Sequence, residues 1–422
     1  MKRLGPPPKF HLDTFRRSAF GLVVACVLMM LAVQAANAQT YTVLHNFTGG
    51  LDGAGPTAGL TLIGTSNLFG GAGPSAVFRL RQSGQGWVLT PIYEFNGTDG
   101  EYLAGRLSVG PDGALYGATS GGGMPQCMGY GGCGLVFSLR PAASICASIS
   151  CPWTESVPYQ FNPVSGFKDG YHPNGGLIFD SSGNIYGTTT AGGTHAAGTV
   201  FQLSPSGGSW TETVLYNFGP SPSNGIDPNG NLVIDHAGNI IGTTRDGGDP
   251  NCRCGVIFEL THNGSGWTET ILHSFTLQPD GGYPAGGLIS DAAGNLYGET
   301  PYGGAILGGV VYQLMPSNGS YTFQVLYSFL SDSDFEGPLG IPAIDSNGNV
   351  YGTTWSQGGP GGNIFELTPA NGGWIYTDLH DFDYDDGANP ADGPTLDPSG
   401  NLYGTASGGG TRAAGVIWQL TP

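Results

Sequence analysis

Most of this 422-residue chain repeats itself, and a reacting centre must occupy one place, so residues that break the repetition are weighed first as catalysts. Lys168, His172, His195, Arg245, Glu299 and Arg412 do so. Glu299 stands where other copies carry Thr188, Thr243, Thr353 and Thr405, and a carboxyl there could pair with a neighbouring one for general acid–base work on a glycan. Drift between copies is the simpler account of any single one. No G-x-S-x-G, H-E-x-x-H, phosphate-binding glycine loop or nucleotide fingerprint occurs, so no catalytic residue and no cofactor is assigned.

A second set of polar residues recurs. An acidic residue or Asn followed by Gly stands at Asp52, Asp99, Asp169, Asn224, Asp280, Glu336 and Asp386. Proline follows four positions on at Pro56, Pro173, Pro228, Pro284 and Pro390, with Leu103 and Gly340 in its place elsewhere. Around one axis these carboxylates, with Lys168, His172 and Glu299, would form a rim for a ligand, and calcium is the ion such a rim would suit. Asp-Gly is also what a tight turn demands, and the turn reading is preferred. Asp112, Asp180, Asp235, Asp291, Asp345 and Asp397 read as caps of a different hairpin. His45, His273 and His380 share one repeat position with Tyr93, Tyr159, Tyr216 and Tyr327, an interchange that signals packing with a polar tip.

The elements that hold these residues follow from composition and period. With 76 Gly and 30 Pro beside 39% hydrophobic residues, the chain is rich in turns yet too apolar for disorder. A tetrad centred on Phe69, Tyr116, Tyr186, Ile241, Tyr297, Tyr351 and Tyr403 occurs seven times, at separations of 47, 70, 55, 56, 54 and 52. Each unit supplies four short strands, which predicts an all-β, seven-bladed β-propeller with four antiparallel strands per blade. The seventh unit ends after Gly415 to Leu420, so Tyr41 to Phe47 is expected to supply its missing outer strand.

Residues 41–422 resemble the GloVer (Gloeo-Verruco) tandem repeats of secreted bacterial proteins, through D-x-x-G-N-[LIV]-Y-G-T-T, G-G and G-x-[VI]-[FY]-x-L. The resemblance implies a secreted propeller and carries no activity. Such proteins often bear a C-terminal anchor, from which this sequence departs, so surface attachment and free secretion both stay open.

Residues 1–38 read as a secretion signal, with five basic residues, an apolar run from Ala19 to Val33 and Ala36-Asn37-Ala38 for cleavage. The mature propeller then spans 39–422 in the periplasm or outside the cell, with no membrane span. Without the leader, 8 Lys and Arg face 30 Asp and Glu, a formal charge of −22 that excludes nucleic acid as a partner. Six cysteines survive in an oxidising compartment. Cys127 and Cys133 occupy the same loop between strands b and c as Cys252 and Cys254, which predicts Cys127–Cys133, Cys252–Cys254 and, by remainder, Cys146–Cys151. No repeated Cys or His completes a zinc site. The expected function is a monomeric, non-catalytic binding or scaffold propeller taking glycan, peptide or cell-wall material at its loop-rich mouth. The alternative is an extracellular polysaccharide hydrolase or lyase.

Overall fold

Hairpin chemistry sets the pitch of the fold. The computed structural model describes residues 39–421 except positions 74, 85, 125, 126, 128–130, 143–152, 163, 165, 220, 222, 265, 318, 331–336 and 356–360. In its third sheet, strand a (Tyr171–Phe179) turns into strand b (Ile185–Ala191) at Asp180. One Asp180 oxygen accepts the Ser182 and Asn184 amides at 2.9 Å each, and the other takes the Asn184 side chain and the Tyr186 hydroxyl. The same bonding recurs at Asp291, Asp345 and Asp397, so these carboxylates are consumed by their own turns. Strands c (Thr199–Ser206) and d (Ser209–Asn217) complete an antiparallel blade.

The described residues form seven such sheets, following one another along the chain. The seventh orders Thr395–Leu396, Leu402–Ala406 and Val416–Thr421, with the N-terminal Thr40–Asn46 added as strand d. The Phe47 amide donates to the Gly415 carbonyl at 3.0 Å and its ring is fully buried. The strand Val416–Thr421 is thereby paired on both sides.

The core lies between blades. Each neighbouring pair shares one buried cluster, such as Phe47, Phe78 and Ile417 between blades 7 and 1, and Phe218, Val256 and Phe258 between blades 3 and 4. Burying one such side chain contributes about 1.5–3 kcal/mol, so no blade is stable without its neighbours. Outside this layer, two kinds of contact join successive d strands. Where one blade presents Glu155 or Glu269, the blade before it supplies a tyrosine hydroxyl, Tyr93 at 2.8 Å or Tyr216 at 2.7 Å. Where the blade presents Phe323 or Tyr41, the previous blade supplies a stacked histidine, His273 or His380, at a ring separation of 3.7 Å. The exchange matches partner to residue at these four positions, whereas Tyr327 stacks on Tyr376 of the next blade at 4.7 Å.

The interblade carboxyls also set a pH response. Burial, then the nearby Asp99 charge, raises Glu155 to about 7 against the pull of the Tyr93 hydroxyl, and burial with Asp169 raises Glu212 to about 7. The folded state therefore holds these protons more tightly than the unfolded chain, and stability falls as pH rises from about 4.5 through 7. Asp52, Asp180 and Asp280 shift the opposite way and lose their contribution only below their ordinary range. The melting temperature is expected to be higher at pH 5.5 than at pH 8, and a Glu155→Gln/Glu212→Gln variant should flatten that difference in scanning calorimetry.

Two strands depart from expectation. Strand a of blades 3 and 4 begins as early as Tyr171 and Gly225, with register shifts between Asn174 and Ile178 and between Asn229 and Val233. Glycines hide that extension from any alternating pattern. Cys127–Cys133 and Cys252–Cys254 are both bonded, with Cα atoms 5.4 and 5.2 Å apart, and Arg253 takes φ +55° to close the tighter loop. Cys146 and Cys151 lie outside the described residues. No helix among the described residues is long and apolar enough to cross a membrane.

Candidate functional site: an axial cavity

Each blade sends the residues after its Asp-Gly turn to the propeller axis. Seven segments, from Thr57-Ala58 in blade 1 to Ala391-Asp392 in blade 7, enclose a cavity of about 250 Å³. Glycine lets them meet. A Cβ on Gly230 would lie 2.3 Å from the Gly287 nitrogen, and one on Gly286 would lie 1.7 Å from the Gly340 carbonyl oxygen. The bulges of blades 3 and 4 carry Asn174 and Asn229 to the cavity, where the Asn174 side-chain amide donates to the Asn229 oxygen at 2.7 Å. Asn231 beside them accepts the Gly176 amide at 2.6 Å.

Two charged residues interrupt this ring of small ones. Arg106 stands where other blades carry Gly59, Gly176, Gly287 or Gly393, and Asp392 where they carry Ala58, Gly105, Gly175, Gly230 or Gly286. The two meet, Arg106 Nε donating to Asp392 Oδ2 at 2.7 Å, although 286 residues separate them. Arg106 Nη2 also donates to the Gly393 carbonyl at 2.5 Å. Asp392 further accepts the amides of Gly59 and Ile341 at 3.0 Å and of Gly393 at 2.8 Å. One ion pair thus ties blades 1, 2, 6 and 7 together. All the acceptor sites of Asp392 are occupied, so it is a fixed structural charge rather than a free base.

Glu299 lies deeper. Its side chain is 2% exposed and neither oxygen has a hydrogen-bond partner. Burial first, then the Asp392 charge, pushes its carboxyl well above the usual range against the pull of Arg106. Tyr312 stands where five other c strands carry phenylalanine, its buried hydroxyl is equally unpartnered, and burial with Glu299 raises it. The corresponding Thr188, Thr243 and Thr353 each bond a backbone carbonyl near the axis, at 2.7, 2.9 and 3.1 Å. Glu299→Thr should therefore raise stability by about 1–3 kcal/mol in urea unfolding, since it replaces an unsatisfied buried acid with a satisfied hydroxyl.

The acidic turn residues are engaged locally. Asp52 accepts the Thr48 amide and hydroxyl and bonds His45; Asp280 does the same with Thr276 and His273; Asp99 takes the Asn96 amide and the Tyr93 hydroxyl. Asp386 accepts the Asp383 amide and bonds His380, and buried Asp169 accepts the Tyr159 hydroxyl at 2.7 Å. Glu336 lies outside the described residues. None of these five described carboxylates lines the axial cavity. Lys168, His195, Arg245 and Arg412 are exposed, whereas Glu299 is enclosed, so the repeat-breaking residues chosen from sequence do not converge. His172 lines a separate groove of about 380 Å³ with Tyr102, Ser120, Thr190 and Asn174. Arg106, Asp392 and Tyr312 were missed by sequence reasoning. Aligning the segment after each Asp-Gly turn, rather than strands b to d, exposes the first two as breaks.

No curated protein sequence matches the chain. Among solved structures it is similar to a protein of Thermus thermophilus described as a putative oxidoreductase (glucose dehydrogenase), at TM-score 0.42 and 14% identity, over 91% of this chain and 100% of that one. It is also similar to a gluconolactonase of Xanthomonas campestris, at TM-score 0.42 and 14% identity, over 89% and 98%. The profile of the Gloeobacter/Verrucomicrobia repeat matches residues 127–360 and 309–422. With its seven blades closed by the N-terminal strand, the chain belongs to the Gloeobacter/Verrucomicrobia repeat family.

Proposed function

We propose that this protein is an exported, non-catalytic binding propeller whose axial cavity holds part of a neutral, hydroxyl-rich ligand, a glycan. The observation that carries the reading is the lining itself. Three side-chain amides, Asn174, Asn229 and Asn231, stand beside the Arg106–Asp392 pair in one concave site, presenting donors and acceptors without a free charge. The formal charge of −22 left after the leader favours a neutral partner over an anionic one.

A second reading has its own observation. Burial, then the Asp392 charge, pushes the Glu299 carboxyl well above the usual range, the direction a general acid needs. Enclosure weighs against it, because a side chain 2% exposed and outside the cavity lining reaches no substrate without rearrangement. Titration calorimetry against cellohexaose, xylohexaose, chitohexaose and maltohexaose tests both. Binding by the native protein, lost in Asn229→Ala at unchanged melting temperature, supports the first reading. Shorter products that vanish in Glu299→Gln would establish the second, and no binding to any of the four would overturn the glycan reading.

A further inference from the structure

Just before the cavity-lining segment, six of the seven blades hold one residue in the left-handed region. Tyr102, His172, Asp227, Tyr283 and Asn389 take φ between +55° and +59°, and Gly55 takes φ +53°. The backbone explains the conformation. It aims the amide of His172 at Cys133, of Asp227 at Ala197, of Tyr283 at Cys254 and of Asn389 at Gly361, over 2.7–3.0 Å, stapling each turn to the preceding blade. Two side chains reinforce the staple, His172 Nε2 bonding the Gly132 carbonyl at 3.0 Å and the Tyr283 hydroxyl donating to the Cys252 carbonyl at 3.2 Å, whereas glycine adopts this conformation without strain, as Gly55 does in bonding Ala414 at 2.8 Å. Five blades nevertheless keep a strained side chain, and its chemistry differs from blade to blade where the backbone does not.

We infer that these left-handed residues form the ligand-selecting rim of the propeller, and that Tyr102 and His172 hold a second sugar unit of an oligosaccharide whose end occupies the axial cavity. This rests on the glycan reading above and extends it. Tyr102 is 54% exposed although its backbone pays for any side chain, and its ring borders the groove that contains Ser120, His172 and Thr190. Asn174 lines both this groove and the axial cavity, so one side chain stands between the two. An aromatic face flanked by two hydroxyls, an imidazole and an amide matches a sugar ring, which is apolar on its faces and hydroxylated at its edge.

Tyr102→Gly separates binding from folding, because it removes the ring and relieves the backbone together. Calorimetry with the four hexaoses and the matching disaccharides should show hexaose affinity falling about tenfold. Disaccharide affinity should stay level, the melting temperature should hold within about 2 °C, and Tyr102→Phe should restore most of the loss. Hexaose binding unchanged in Tyr102→Gly but lost in Asn229→Ala would overturn the rim and leave the axial reading standing. A melting temperature lower by more than about 5 °C would overturn it by making Tyr102 structural. Failure of the native protein to bind any hexaose would overturn both.

Discussion

A protein lacking residues 39–47 is expected to lose its soluble monomeric form. Those residues are the outer strand of the seventh blade, and their removal bares the strand Val416–Thr421 as an unpaired edge able to template association. It also removes Phe47, buried between blades 7 and 1, and Tyr41, whose ring stacks on His380 and whose hydroxyl donates to the Asp386 carbonyl at 2.8 Å. Losing the phenylalanine alone would cost about 3–5 kcal/mol, comparable with the whole stability of many domains. Size-exclusion chromatography with light scattering checks the outcome. A truncated protein that stays monodisperse and as heat-stable as the native one would show that the ring closes without the seventh d strand. Phe47→Ala gives a graded version, destabilised yet still monomeric.

Arg106→Met should cost about 3–5 kcal/mol. The two side chains are only 17% and 11% exposed, so removing the guanidinium leaves Asp392 as a charge in a poorly solvated ring. Part of the loss is geometric, since Arg106 spans from blade 2 to Asp392 and Gly393 of blade 7 and donates to Thr395 as well. Arg106→Lys should not rescue it, because an ammonium cannot reproduce three directed donors from one planar group. Urea unfolding measures both variants. A loss below about 1 kcal/mol for Arg106→Met would mean that the three backbone amides suffice to hold the Asp392 carboxylate.

Blade number, strand order and closure were legible in the sequence because each is written locally and then repeated. Asp180 and Gly183 make a hairpin wherever they occur, the tetrad around Tyr186 recurs at near-constant spacing, and a seventh unit ending at strand c leaves Tyr41 to Phe47 as the strand still to be placed. The cysteine loops were legible for the same reason, as Cys127–Cys133 and Cys252–Cys254 show. The axial site was not. Arg106 and Asp392 approach only when blade 7 returns beside blade 1, and no local pattern relates residues 286 positions apart. Glu299 reads in sequence as an available acid, yet burial encloses it and pushes its carboxyl well above the usual range, and exposure is a property of the whole ring. The left-handed residues look like loop drift until their shared dihedral is seen, because the bond that imposes it comes from the preceding blade. Short-range turn and strand chemistry therefore determined the architecture, and ring closure alone decided which of its many polar residues face one another at the axis.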